Sequence, residues 1–198
     1  MINGSEVRKA DYPINSIFVD RWSPRAMSGE EISVGELMML LEAARWAPSS
    51  YNNQPWRIIF ARRDTAHWPK FLNLLNTANR LWAANAGALL AFISKTTLDR
   101  DGSDSRTHSF DTGAAWVSLA LQGFMSGYVV HGMQGINYEK AKIDLEVPDG
   151  FKVEMMAAVG IPGNVELLPE VLREKEMPSD RKSLSEIVSE GSFGKTPG

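Results

Sequence analysis

Residues 86–93 form a nearly continuous apolar run, and no other stretch constrains the fold of this chain as strongly. The run is far too short to span a membrane, and its unbroken apolar character fits a strand buried inside a sheet. What surrounds it is helical in period. Residues 28–45 carry an apolar stripe of Ile32, Leu37, Leu40, Leu41 and Ala44, with Ser28 and Glu31 at the spacing of a capping box and Pro48 as the stop. A polar turn over 49–55 leads into a short strand over 56–61. Residues 67–79 read as one helix starting near Trp68-Pro69, and the charged, glycine-containing segment 96–109 as a mobile loop. Residues 110–126 are a small-residue-rich helix, apolar on most faces, which belongs in a core or at a subunit interface. Tyr128 opens a strand that reaches Met133. A short helix over 138–145 and a strand over 152–161 follow, and the polar, proline-interrupted tail 164–198 carries one helical fragment at 183–190. Strands alternate with helices, so the class is α+β or α/β. A tail this poor in core residues needs something to pack on, for which a partner subunit is the natural candidate.

Composition removes whole classes of function. The chain has 198 residues, enough for one domain with a sizeable core or one domain with a dimerisation extension. Its 43% hydrophobic and 23% charged content is a globular balance, not a disordered one. A net charge of −3 gives no electrostatic reason to expect nucleic acid or an anionic membrane as partner. There is no cysteine, which excludes disulfides, thiolate metal sites, Fe–S ligation and cysteine nucleophiles. The three histidines, His67, His108 and His131, lie far apart without a zinc-ligand spacing, so no metal is expected. The first twenty residues carry charges and a proline where a signal peptide needs an apolar core, and the cytosol is the expected compartment.

Three polar clusters remain. In Arg21-Trp22-Ser23-Pro24-Arg25, two guanidiniums and a hydroxyl offer charge-assisted donors that suit a phosphate, although a solvated segment ahead of a helix has the same composition. In Pro48-Ser49-Ser50-Tyr51-Asn52-Asn53-Gln54-Pro55-Trp56, amides and hydroxyls are held between two prolines; they can bond both edges of a heteroaromatic ring, or simply form a turn. The third, Pro178-Ser179-Asp180-Arg181-Lys182-Ser183, reads by itself as a surface pair of cations before a helix.

Taken in order, the clusters resemble the nitroreductase family. Arg21-Trp22-Ser23 is similar to its R-x-S segment, and Ala47-Pro48-Ser49-Ser50-Tyr51-Asn52-Asn53-Gln54-Pro55-Trp56 is a nearly unbroken match to A-P-S-S-x-N-x-Q-P-W. Asp111-Thr112-Gly113-Ala114-Ala115 looks like the family's long central helix. The stretch from Gly127 through His131-Gly132-Met133-Gln134-Gly135-Ile136-Asn137 resembles its glycine-rich strand and turn, and 181–188 resembles its closing R-R-P-L-E-E-I-V. The resemblance runs from about Ile17 to Val188.

It implies a three-layer α/β/α member of the α+β class, with a central, mostly antiparallel sheet flanked by helices. It also implies an interlocked homodimer in which residues 1–20 and 164–198 pack on the partner subunit. FMN is the implied cofactor, with NADH or NADPH as electron donor and a nitroaromatic, quinone or similar small electrophile reduced in ping-pong order. The FMN phosphate would fall to Arg21, Ser23 and Arg181, and the ribityl or pyrimidine side to Arg25. Pro48, Ser49, Ser50 and Asn52 would approach the ring from the other subunit; Met133, Gln134 and Gly135 would lie along one face with a backbone N–H toward N5; and Asn79 would offer an amide near the pyrimidine. Because the flavin carries the redox chemistry, no protein nucleophile or strong base is needed.

This chain departs from the family at Ser179, where many members have a cation, with Lys182 as the candidate replacement, and at Gln134, where others have glutamate or glycine. The segment 96–109 is abbreviated, which implies a more open pocket. Two other functions stay in view, a same-scaffold flavoenzyme with another reaction (dehalogenation, ene reduction or flavin-consuming chemistry) and a non-catalytic flavin-binding module. His131 could donate a proton to reduced substrate, or be bonded to backbone at a strand end, the commoner fate of such a residue. Trp22, Trp46, Trp56 and Trp116 fit core or interface positions better than stacking ones.

Overall fold

The computed structural model describes residues 2–195; Met1 and 196–198, the outermost residues of both expected extensions, lie outside the described residues. In chain order the helices are α1 (Ile17–Asp20), α2 (Val34–Arg45), α3 (Trp68–Leu72), α4 (Thr77–Ala83), α5 (His108–Met125), α6 (Tyr138–Asp144), α7 (Glu170–Arg173) and α8 (Leu184–Ile187). The strands are β1 (Trp56–Arg62), β2 (Ala88–Lys95), β3 (Val129–Met133) and β4 (Phe151–Gly160). The chain divides into two compact units: a sheet unit over Ser23–Glu176, and a terminal unit that joins Ile2–Trp22 to the chain from Met177 on.

The sheet unit is a four-stranded sheet in the order β1-β2-β4-β3, and every pairing is antiparallel. The apolar run becomes β2, an inner strand in which Leu90 faces Phe60 on one side and Ala157 on the other, with a register shift between Phe92 and Ile93. Its alternation explains why the run had to be apolar throughout. Ala88, Leu90 and Phe92 pack with Leu37, Leu40, Leu119 and Val159 on the face covered by α2 and α5. Leu89, Ala91 and Ile93 pack with Phe71, Leu74, Trp82 and Met156 on the face covered by α3, α4 and α6. Each fully buried Leu or Phe stabilises the fold by about 1.5–3 kcal/mol, so both helical layers are anchored by the same eight-residue strand. Among the described residues no helix is long and apolar enough to cross a membrane.

Three elements differ from expectation. The first long helix starts at Val34, capped by Ser33, whose Oγ accepts from the Glu36 N–H at 3.2 Å while Glu36 accepts from the Ser33 N–H at 2.8 Å. Ser28 and Glu31 have the same spacing, but Ile32 is buried among the sheet side chains, which holds 28–32 in a non-helical path. The expected helix over 67–79 breaks into α3 and α4. Leu74 and Leu75 are buried at the break, Leu75 bridges Ile136, and the Asn76 side chain caps α4 by accepting from the Asn79 N–H at 2.8 Å. The segment expected to be a mobile loop closes on itself instead: Thr97 bridges Asp104, and the Leu98 N–H donates to Ser103 O at 2.8 Å. Residues 164–176 belong to the sheet unit, where Leu168 joins the core.

In the terminal unit, Arg8 and Trp22 organise the chain through backbone carbonyls. The Trp22 indole N–H donates to Ile2 O at 2.9 Å, and the Ser5 hydroxyl donates to Asp20. That bond holds the Asp20 carboxyl below its ordinary range.

Candidate functional site

The turn between α2 and β1 has the most constrained backbone of the sheet unit. Tyr51, Asn52 and Gln54 take φ values of 52°, 53° and 46°, a left-handed conformation that costs a residue with a side chain about 1–2 kcal/mol. Such a conformation persists only where the surroundings over-determine it. Here the Ser50 N–H donates to Asp111 Oδ2 at 3.1 Å, and the same oxygen accepts from the Thr107 hydroxyl at 3.1 Å. Ser49 Oγ accepts from the Gln54 N–H at 3.0 Å. The Asn53 amide reaches across to the next loop, donating to Thr97 O at 3.2 Å and accepting from the Asp99 N–H at 2.8 Å. Pro48 and Asn52 are left exposed, with Ser49 and Ser50 half-buried. Beside them the Arg100 guanidinium stacks on the Tyr51 ring, 4.0 Å from its centroid.

The break between α3 and α4 sets the position of Asn79. With α4 starting at Asn76, the Asn79 amide lands on the connection after β3 and donates to Gly135 O at 3.1 Å, while the Asn76 N–H donates to the same carbonyl at 2.9 Å. A Cβ at residue 135 would lie no more than 2.7 Å from the amide nitrogens of Asn76 and Asn79, so a side chain there would displace these amides. Met133 ends β3 buried in the core, and Gln134 is exposed.

Arg25 is held by a residue that no motif announced. Glu176, buried in the sheet unit, accepts from the backbone N–H groups of Arg25 and Ala26 at 2.5 and 2.8 Å, and its second oxygen lies 3.5 Å from the Arg25 guanidinium. Part of the Arg25 charge is therefore answered from within the protein. His131 donates from Nδ1 to Pro24 O at 2.9 Å and packs against Trp82, with ring centroids 4.4 Å apart, which is the backbone-bonded geometry. Of the four tryptophans expected at core or interface positions, Trp22 and Trp56 are buried, Trp116 is half-buried and Trp46 is exposed.

A second polar cluster also lacked a sequence signal. Ser94 Oγ lies 2.6 Å from Glu154 Oε1 and 2.8 Å from His108 Nδ1, and the Ser109 hydroxyl donates to Glu154 at 2.6 Å. Burial would raise the Glu154 carboxyl, but the hydrogen bonds from Ser109 and Ser94, followed by Lys152, outweigh it and hold the group below its ordinary value. Ser94 is fully buried, so the cluster is a satisfied network and not a nucleophile with its base.

The terminal unit concentrates cations. Burial, then the charges of Arg181 and Arg8, push the Arg21 guanidinium below its ordinary value. Arg8 is lowered by burial and by Arg181, against the opposing pull of Asp180 and Asp20. Arg181 donates from Nη1 to the carbonyls of Ser179 and Asp180, both at 3.0 Å, and lies 3.3 Å from Ser179 Oγ. Ser179, found where a further cation was expected, thus orients Arg181. Lys182 lines a cleft of about 470 Å³ with Arg8 and Arg181, walled by Tyr12, Phe18 and Leu184. An anion would offset the charges of Arg181 and Arg8 that lower Arg21, and a phosphate with its several acceptors matches guanidiniums chemically.

The structure therefore brings together Asn79 with Gly135, Ser49 with Ser50 and Asn52 in one strained turn, and Arg21 with Arg181. Ser23 and Arg25 begin the sheet unit. Glu176 and Arg8 are supporting residues that no motif marked, whereas Asp111 and Asn53 lie within the matched motifs and brace the turn.

Residues 19–80 match the model of a family described as the nitroreductase family. No curated protein matches the chain. Among solved structures, an oxidoreductase containing FMN is 45% identical, with 96% of this chain and 97% of that one covered and a TM-score of 0.91. A nitroreductase family protein from Clostridium difficile 630 is 21% identical over 87% of this chain and 95% of its own, with a TM-score of 0.67. An FMN-dependent nitroreductase from Clostridium difficile R20291 is 20% identical over 73% of this chain and 84% of its own, with a TM-score of 0.62. These last two bear on fold alone.

Proposed function

The chain belongs to the nitroreductase family, and we propose that it is an FMN-dependent oxidoreductase that uses NADH or NADPH to reduce a nitroaromatic, quinone or similar small electrophile. The observation that carries the proposal is the gathering of cations in the terminal unit, where Arg8 donates to Arg21 O and shares the Ser179 carbonyl with Arg181, and Arg8, Arg181 and Lys182 line one cleft; a cluster of this kind fits a phosphate. Arg21 and Arg181 would hold that phosphate, with Ser23 as a hydroxyl donor and Arg25 as a further cation. Neutral donors and acceptors on Ser49, Ser50, Asn52 and Asn79 suit the polar edge of a heteroaromatic ring. Pro48 and the segment Met133-Gln134-Gly135 supply stiff backbone for the ring to lie against. The redox chemistry, hydride accepted from the nicotinamide and passed to the acceptor in ping-pong order, belongs to FMN when it is bound. The protein's work is to bind, orient and exclude water, for which the preset turn at 48–55 is suited.

The proposal includes an interlocked homodimer with both chain termini packed on the partner subunit. Exposed apolar side chains on the α2 and α5 helices support it: Met38, Met39 and Val117 are joined by Met125 and by Phe110, which is 81% exposed. Faces of this kind mark an interaction surface. Light scattering should give twice the 21.9 kDa chain mass.

Steady-state turnover tests the reductase reading. FMN-loaded protein should oxidise NADH or NADPH in the presence of a nitroaromatic or a quinone, with saturation in the acceptor. Protein that holds FMN yet oxidises neither nicotinamide would refute it.

A further inference from the structure

Arg8 lies outside every motif that points to the cofactor, yet each of its three guanidinium nitrogens donates to a backbone carbonyl of the terminal unit. Nε donates to Val19 O at 2.6 Å, Nη2 to Arg21 O at 2.6 Å and Nη1 to Ser179 O at 2.9 Å. The first two carbonyls belong to the end of α1 and to Arg21 itself. The third lies two residues before Arg181 and is the carbonyl to which the Arg181 guanidinium also donates. One planar fork therefore fixes the backbone that carries Arg21 and shares an acceptor with Arg181.

We infer that Arg8 is a positioning residue for phosphate recognition, clamping the segment that carries Arg21 to the segment that carries Arg181 so that both guanidiniums meet one anion.

The inference rests on the proposed role of Arg21 and Arg181. Two further features support it. Gly4 is buried, and a Cβ there would overlap Val19 O and the Nε and Nη2 atoms of Arg8, so the absence of a side chain at residue 4 makes room for the fork. The geometry also demands arginine: an ammonium is a point charge on a flexible stem and cannot hold three carbonyls in fixed directions. The Arg8 charge adds to the field at Arg21, whose guanidinium it helps to depress. Losing the clamp should therefore loosen the binding of the phosphate and leave the rest of the ligand alone.

The test compares dissociation constants for FMN and for riboflavin, which lacks the phosphate, in the 198-residue chain as purified. The proteins are the parent, Arg21→Ala, Arg8→Lys and Gly4→Ala. Arg21→Ala should weaken FMN and spare riboflavin. Arg8→Lys should weaken FMN on the order of tenfold, with riboflavin affinity unchanged. Gly4→Ala, which keeps every charge and donor but displaces the fork, should move the same ratio in the same direction. Parent-like FMN affinity in both Arg8→Lys and Gly4→Ala, beside a weakened Arg21→Ala, overturns the clamp. Equal weakening of FMN and riboflavin in those two variants also overturns it, by reducing Arg8 to general structural support. Parent-like FMN affinity in Arg21→Ala overturns the phosphate reading itself, and the clamp with it.

Discussion

In the sheet unit, Asn79 meets Gly135 because apolar side chains on both faces of β2 pin the elements that carry them. In the terminal unit, Arg21 and Arg181 share a field because one guanidinium ties three carbonyls together. The first arrangement is held by area removed from water, which is non-directional and spread over many side chains. The second is held by a few directional, charge-assisted bonds in a unit that has no strand among its described residues. The contrast teaches where each kind of damage will show. Losses in the sheet unit should register as lost stability, whereas losses in the terminal unit should register as lost affinity for an anion.

The sharpest way to break that contrast is Phe92→Ala. The residue is fully buried in β2, and its truncation should cost about 3–5 kcal/mol in urea unfolding. A cost below about 1 kcal/mol would mean that β2 does not anchor the helical layers. Next is Arg21→Ala, for which FMN affinity should fall by about 1.5–3 kcal/mol with the unfolding midpoint unmoved. A fall in stability with unchanged affinity would invert the comparison. Asp111→Ala lies between the two regimes. It strips the acceptor from Ser50 and Thr107, and should cost about 1–3 kcal/mol of stability while raising the FMN dissociation constant through a loosened turn. Unfolding that matches the parent would show that the positive-φ turn stands without its buried carboxylate.

The smallest effect expected is in pH dependence. Hydrogen bonds from Ser33 and then Tyr128 lower the Glu36 carboxyl from 4.5 to about 2, and the bond to Glu36, then burial, raise the Tyr128 phenol to about 12. A depressed carboxyl adds stability above its unfolded pKa and loses it as pH falls toward 2; a raised phenol adds stability below its unfolded value and loses it as pH climbs toward 12. Tyr128→Phe should bring the Glu36 titration partway back toward 4.5 in a side-chain NMR titration and leave FMN binding alone. An unmoved Glu36 titration would exclude the 2.7 Å bond from Tyr128 as a cause.

Much of the sheet unit was legible in the sequence because its signals are local. The apolar run of 86–93 became β2 with a two-residue offset, and the small-residue-rich helix of 110–126 became α5. The capping box was misplaced because Ser28–Glu31 and Ser33–Glu36 have identical spacing. Only the burial of Ile32 against the sheet separates them. The single helix expected over 67–79 failed for a similar reason: Asn76 is a cap because Leu75 bridges Ile136, a partner 61 positions away in the chain. Among site residues, the clusters around Arg21, Pro48–Trp56 and Arg181 stood out by composition and order. Arg8 and Glu176 did not, since their partners lie up to 171 and 151 positions away and an isolated arginine or glutamate carries no pattern.

Whether this chain holds FMN in a reducible state can be read most directly from its visible absorption spectrum. Protein incubated with FMN and freed of unbound cofactor should retain a flavin spectrum that bleaches under anaerobic NADH or NADPH. Protein that emerges colourless, with its FMN left behind, would show that the chain is not an FMN-dependent reductase.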